Sequence, residues 1–209
     1  MAKFNINVTK SIFVLLAIIL VLTRFRLLWL YIHKPSEQVL IENGVLDLSD
    51  SEFTDITTTL HGEWMFFPNQ LIYEPEKIEN KIDEFSSMLT NETDEETIRF
   101  GTYYTKIILP DDTNLDQLYS IRIPSMKTAS ALYVNGHLRD HSGIVAASED
   151  KHVGKGNPYV TTFPIDSNEV EVVLQVSNFD TSQGISLGSP IKFGLEKQLL
   201  KIKLSKTYY

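Results

Sequence analysis

The apolar positions of this chain follow three regimes in turn. Residues 12–22 read IFVLLAIILVL without a polar break, and after Thr23-Arg24-Phe25-Arg26 a second apolar run, 27–32, resumes. Together they reach the length of about 20 residues that a helix needs to cross the hydrocarbon of a bilayer. From Gly44 onward the chain changes to short runs rich in β-branched and aromatic residues, bounded by Gly, Pro, Asn and Asp. That pattern predicts an antiparallel β-sandwich, with strands over 44–48, 62–67, 102–109, 118–123, 129–134, 137–140, 160–163, 169–176 and 190–193. Within 169–176, Val170, Val172, Leu174 and Val176 share one face and form the expected core face. Asn135-Gly136 suits the positive φ angles of a type I′ turn, so the strands on either side of it are expected to form a hairpin.

The stretch 74–96 interrupts this rhythm. It holds nine acidic residues against Lys77 and Lys81, while Ile78, Ile82, Phe85 and Leu89 recur at helical spacing. A short amphipathic helix followed by an acidic loop at 91–97 is expected, so that 74–97 forms a solvated excursion from the sandwich. Calcium is the sharper alternative, because hard cations take carboxylate oxygens; Asp94-Glu95-Glu96, however, lacks the spaced ligands and the glycine of a calcium loop. The third regime begins at Gly194. Leu195, Leu199, Leu200 and Leu204 interleave there with Lys197, Lys201, Lys203 and Lys206. Residues 196–209 read as a basic amphipathic tail that lies on an anionic membrane surface, leads toward a transmembrane region, or stands as a solvated helix.

Charge follows the same division. Residues 1–34 carry five basic residues and no acidic one, 35–191 carry nine basic against 26 acidic, and 192–209 carry five lysines against Glu196. The net charge of −8 therefore describes none of the three parts. The acidic middle argues against nucleic acid as a partner, since phosphate binding needs a clustered basic face. The length suits one domain with a sizeable core, over 35–195. The absence of cysteine excludes disulfides, thiolate zinc sites and a cysteine nucleophile, and leaves the compartment open. Lys3 and Lys10 ahead of the apolar run mark 1–34 as a targeting segment outside the fold. No small-x-small cleavage site stands at Leu22-Thr23-Arg24-Phe25-Arg26. An uncleaved signal anchor, with the arginines snorkelling toward an interface, is therefore favoured over a cleaved signal peptide. Basic residues on both flanks leave its orientation undetermined by charge.

Little in the chain points to catalysis. His137, His141 and His152 lie near Asp140, Glu149 and Asp150 in sequence. On a strand, however, His137 and His141 would share a face about 13 Å apart, too far for one metal ion, and the three are expected to be exposed loop histidines. There is no Gly-x-Ser-x-Gly elbow, no identifiable pair of facing carboxylates for glycoside hydrolysis, and Gly154-Lys155-Gly156 lacks the strand-loop-helix setting of a phosphate loop. A non-catalytic chain without metal or cofactor is the expectation.

Four motifs then give a family resemblance. Leu60-His61-Gly62-Glu63-Trp64-Met65-Phe66 fits L-x-G-x-W-x-F, and 104–110 fits Y-x-x-x-x-L-P. Leu132-Tyr133-Val134-Asn135-Gly136 followed by Gly143 fits L-Y-V-N-G then Gly, and 172–178 ends in V-S-N. In this order they resemble the galactose-binding-like jelly rolls that serve as the sugar-binding domain of family 2 glycoside hydrolases. Asn43-Gly44-Val45-Leu46-Asp47-Leu48, Asp166-Ser167-Asn168-Glu169-Val170-Glu171 and Gln175-Val176-Ser177-Asn178-Phe179 more closely resemble the N-terminal extracytoplasmic domain of the bacterial seven-transmembrane receptors with diverse intracellular signalling modules. The resemblance covers 40–198. It implies an extracytoplasmic jelly roll that binds carbohydrate or a related small ligand and signals through membrane helices to kinase or cyclase modules. Two departures stand out: the family's tryptophan segment is replaced by the acidic 74–96, and the sequence stops at Tyr209, where those receptors continue into seven membrane helices. The expectation is a truncated version, a fragment, or an anchored domain working with a partner.

Sugar recognition takes an aromatic platform and planar polar groups. Trp64, Tyr103, Tyr104 and Tyr159 can supply the first, and Asn135, Arg139, Asp140 and Asn178 the second. Trp64 alternates with Phe66 and so also suits the core, while Asn135 and Asn178 also suit a turn and a strand end. The loops 139–155 and 179–188 are the favoured location, since loops at a sandwich end commonly carry binding. The expected function is a sensory, ligand-binding receptor domain on the outer side of the cell membrane. The alternatives are an envelope protein-interaction module and an accessory domain of a glycosidase.

Overall fold

The computed structural model describes residues 6–32, 39–50, 57–74, 77–78, 98–126, 128–187 and 190–199. It divides into two compact units, Met1–Glu37 and Gln38–Tyr209. The first holds the helix α1 (Ile6–Ile32), apolar at every position from 12 to 22. Its segment Ser11–Trp29 is long and apolar enough to cross a membrane, and its side chains are exposed. Thr23 does not interrupt it, because its hydroxyl donates back to the Ile19 and Leu20 carbonyls at 2.7 and 3.0 Å.

The second unit is a two-sheet β-sandwich of jelly-roll type. Its strands are β1 (Val45–Asp47), β2 (Thr58–Leu60), β3 (Met65–Pro68), β4 (Phe100–Ile108), β5 (Tyr119–Ile123), β6 (Ala129–Val134), β7 (His137–Ser142), β8 (Tyr159–Phe163), β9 (Glu169–Ser177) and β10 (Ile191–Leu195). The first sheet runs β1-β4-β9-β6-β7 with β3 beside β4; the second runs β2-β10-β5-β8. The chain passes repeatedly from one sheet to the other, so neighbours in space are distant in sequence. Short runs ended by turn residues produce this, because each strand buries one face and must then cross over.

Alternation decides what each strand buries. Val170, Val172, Leu174 and Val176 of β9 enter the main core with Ile107, Ile121, Leu132, Phe163 and Phe193, as the sequence pattern predicts. The opposite face of the first sheet is not solvated, as a simple sandwich would have it. Phe67, Tyr104 and Val173 form a second apolar cluster there with Ile72 and Ile78. The chain after β3 thus crosses the outer face of the sheet, and Ile72 N–H and the Gln70 carbonyl are held by the Thr102 hydroxyl. Ile78, on the apolar face of the expected helix, is fully buried there, and residues 77–78 are helical. The rest of the expected helix and the acidic loop lie outside the described residues.

The hairpin turn is as expected. Asn135 and Gly136 have φ of 49° and 74°, and the Asn135 side chain accepts a hydrogen bond from Glu171 N at 2.8 Å. At the C-terminal end, Glu196 to Leu199 form a helical turn whose Leu199 is fully buried. The first residues of the expected tail therefore belong to the folded unit; the remainder lies outside the described residues.

Candidate functional site

The sandwich is closed along one margin by β7 and β8, the edge strands of its two sheets. Leu132 pairs with Asp140 and Tyr133 with Leu138, so Arg139 is the extra residue of a β-bulge. Because Leu132 faces the core, its partner Asp140 turns toward the space between the sheets. The bulge also puts His137 and His141 opposite Val134 and Ala131, residues of opposite faces. This corrects the expectation that the two histidines share a face. Among the described residues no three His, Asp or Glu side chains gather as a metal site.

Arg139 lays its guanidinium over the ring of Phe163, with Cζ 5.5 Å from the ring centroid. Its Nε is buried, and no hydrogen-bond or ion-pair partner engages its side chain among the described residues. The aromatic support holds the planar cation in place. The neighbouring carboxylate of Asp140 accepts the His141 backbone N–H at 2.8 Å. Tyr159, which opens β8, reaches across to the Ser130 hydroxyl at 3.3 Å. Arg139, Asp140 and Tyr159 are all half-buried. Arg139 and Asp140 thus stand on the β7 edge, and Tyr159, at the start of the neighbouring β8 edge, lies within the field of the Asp140 charge.

Burial pushes the Tyr159 phenol up to about 12; the Ser130 hydroxyl opposes this and the Asp140 charge adds to it. Burial alone likewise raises Tyr103 to about 12. Below pH 10 both phenols are protonated in the folded and unfolded chain alike. Between 10 and 12 the unfolded chain releases protons that the folded chain retains, so stability falls as pH rises through that window. Alkaline titration followed by phenolate absorbance and circular dichroism is expected to show these two tyrosines ionising together with unfolding. The double variant Tyr103→Phe, Tyr159→Phe is expected to shift the unfolding midpoint to higher pH.

The other candidate residues are placed differently. Tyr104 is 2 % exposed, lies in the outer cluster and donates to the Glu171 carboxylate at 3.0 Å; it offers no surface to a ligand. Tyr103 stacks on Phe66 at 4.5 Å, and both it and Trp64 pack against the main core. Asn135 is committed to its turn. Asn178 is buried, and its Nδ2 ties down the following loop through Thr181 Oγ1 and Gln183 O, each at 2.8 Å. Tyr159 packs against the main core as well; of the eight, Arg139 and Asp140 adjoin on β7, and the Asp140 charge acts on the Tyr159 phenol.

The two favoured loops do meet, through a residue expected to be exposed. The side chain of His152 is only 2 % exposed. Its Nδ1 lies 2.9 Å from Ser177 Oγ and its Nε2 3.0 Å from Asp180 Oδ2, with the Phe179 ring against it. The order hydroxyl, imidazole, carboxylate is that of a hydrolase triad. Ser177, however, is fully buried and its Oγ also accepts the Ala146 N–H, so no acyl group reaches it. The arrangement is a latch. It fixes the 143–157 loop, whose ends carry Asp140 and Tyr159, to the end of β9. Sequence separation hid it: Ser177 and Asp180 lie 25 and 28 residues from His152.

No family model matches this sequence, and no curated protein does. Among solved structures, the chain is similar to a β-glucuronidase from Ruminococcus gnavus in complex with D-glucuronic acid, with 14% identity, a TM-score of 0.43, and coverage of 67% of this chain and 29% of that one. It is also similar to a putative β-galactosidase from Bacteroides fragilis, with 14% identity, a TM-score of 0.41, and coverage of 67% and 23%. The chain thus spans less than a third of the length of either enzyme.

Proposed function

We propose that this chain is a membrane-anchored, non-catalytic β-sandwich that binds carbohydrate on the outer side of the membrane, as the sensory part of a signalling receptor. The observation that carries the reading is the guanidinium of Arg139, held on the ring of Phe163 with Asp140 next to it on β7. Sugar hydroxyls both donate and accept. A guanidinium next to a carboxylate suits a pair of neighbouring hydroxyls, one accepting from Arg139 and one donating to Asp140. The receptor part rests on the resemblance at 40–198 and on α1 as anchor; the kinase or cyclase output would lie downstream or on a partner.

The test is a glycan array followed by calorimetry on the full chain in detergent micelles. At least one neutral glycan is expected to bind, with affinity falling tenfold or more in Arg139→Met and in Asp140→Asn while circular dichroism stays unchanged. A flat response across the array, with a membrane kinase recovered by pull-down, would favour an envelope interaction module instead.

A further inference from the structure

The position of charge along α1 says where the helix sits in a bilayer. Between Lys10 and Arg24 lies the uncharged segment 11–23. At about 1.5 Å per residue the two charges are about 21 Å apart along the axis. The hydrocarbon core is about 30 Å thick. The shortfall, about 4.5 Å at each end, is within the reach of a basic side chain that snorkels to the headgroups. Centring the whole apolar segment Ser11–Trp29 would instead draw Arg24 and Arg26 below the interface, where a cation is costly.

Arg24 and Arg26 are two residues apart, so they project about 200° from each other around the helix. One acidic partner helix cannot meet both. A layer of phosphates surrounds the helix on every side and can. Their side chains are exposed in α1.

We propose that α1 is seated between two charged collars, with 11–23 in the hydrocarbon, Arg24 and Arg26 on lipid phosphates, and 25–32 rising as helix through the headgroup layer with Trp29 in it. The inference rests on α1 being a membrane anchor. Because the chain has no cysteine, single-cysteine variants at positions 12–23, 25 and 27–29 can be spin-labelled one at a time in the full chain. The sample is the chain reconstituted into phosphatidylethanolamine and phosphatidylglycerol vesicles, and label depth is read from oxygen against nickel-chelate accessibility. The deepest label is expected at 16–18, midway between the collars, and Arg24→Leu combined with Arg26→Leu is expected to move it about three residues toward Trp29. A maximum at Leu20 or beyond in the unmodified helix, or one that the double substitution leaves in place, overturns the two-collar seating while leaving the anchor intact. A flat profile overturns both the seating and the anchor.

Discussion

Phe163→Ala is expected to destabilise the full chain by about 3–5 kcal/mol and to abolish ligand binding as well. The ring is 1 % exposed in the main core, so its removal leaves a cavity that close-packed neighbours fill only in part. The same ring supports the guanidinium of Arg139. Without it the arginine regains rotamer freedom, and holding it in place must then be repaid at each binding event. Two companions separate these effects. Phe163→Leu nearly conserves volume and is expected to cost under about 1.5 kcal/mol, yet to weaken binding. Phe193→Ala removes a ring of the same core, stacked on Tyr119 at 5.7 Å, and is expected to lose comparable stability while binding normally wherever it stays folded. Denaturant unfolding and calorimetry in micelles give both readings; a Phe163→Leu variant with undiminished affinity would remove the role assigned to the stack.

What could be read in advance follows from how far each feature depends on distant residues. The Asn135-Gly136 hairpin and the core face of β9 rest on local pattern, and both stand in the structure. Tyr104 was misleading for a physical reason. Alternation assumes one buried face, whereas Ile72 and Ile78 cover the other, so the polar-side positions Tyr104 and Val173 are as buried as the core. The three-residue β2 is too short to show a period. At β7, strict alternation fails at one residue, and the bulge that turns Arg139 and Asp140 inward cannot be seen until the register with β6 is known. Two of the candidates at the margin, Arg139 and Tyr159, come from different sheets, and only the closure of β7 on β8 joins them.

The L-x-G-x-W-x-F motif, read first as a family mark, has its explanation in a close approach of backbones, and Gly62→Ala is the sharpest way to test it. Gly62 has φ of 128°, a conformation that side chains other than hydrogen rarely adopt. A Cβ there would stand 2.3 Å from the Ile41 carbonyl oxygen and 2.6 Å from its nitrogen. Those same atoms bind the motif on either side: Ile41 N–H donates to His61 O at 2.8 Å, and Glu63 N–H donates to Ile41 O at 2.7 Å. Ile41 is itself 1 % exposed and part of the main core, so it cannot yield without opening that core. Backbone strain of about 1–3 kcal/mol adds to overpacking of about 1–3 kcal/mol, and the variant is expected to lose several kcal/mol in denaturant unfolding. Gly44→Ala supplies the contrast. Its φ of 77° is also positive, but the atoms a Cβ would meet belong to the flexible side chain of Met65, which can move aside. Its loss is expected to stay near the strain contribution alone, about 1 kcal/mol. Equal losses at the two glycines would mean that φ decides the matter, and that the strand-to-strand contact of Ile41 with Gly62 does not hold the motif in place.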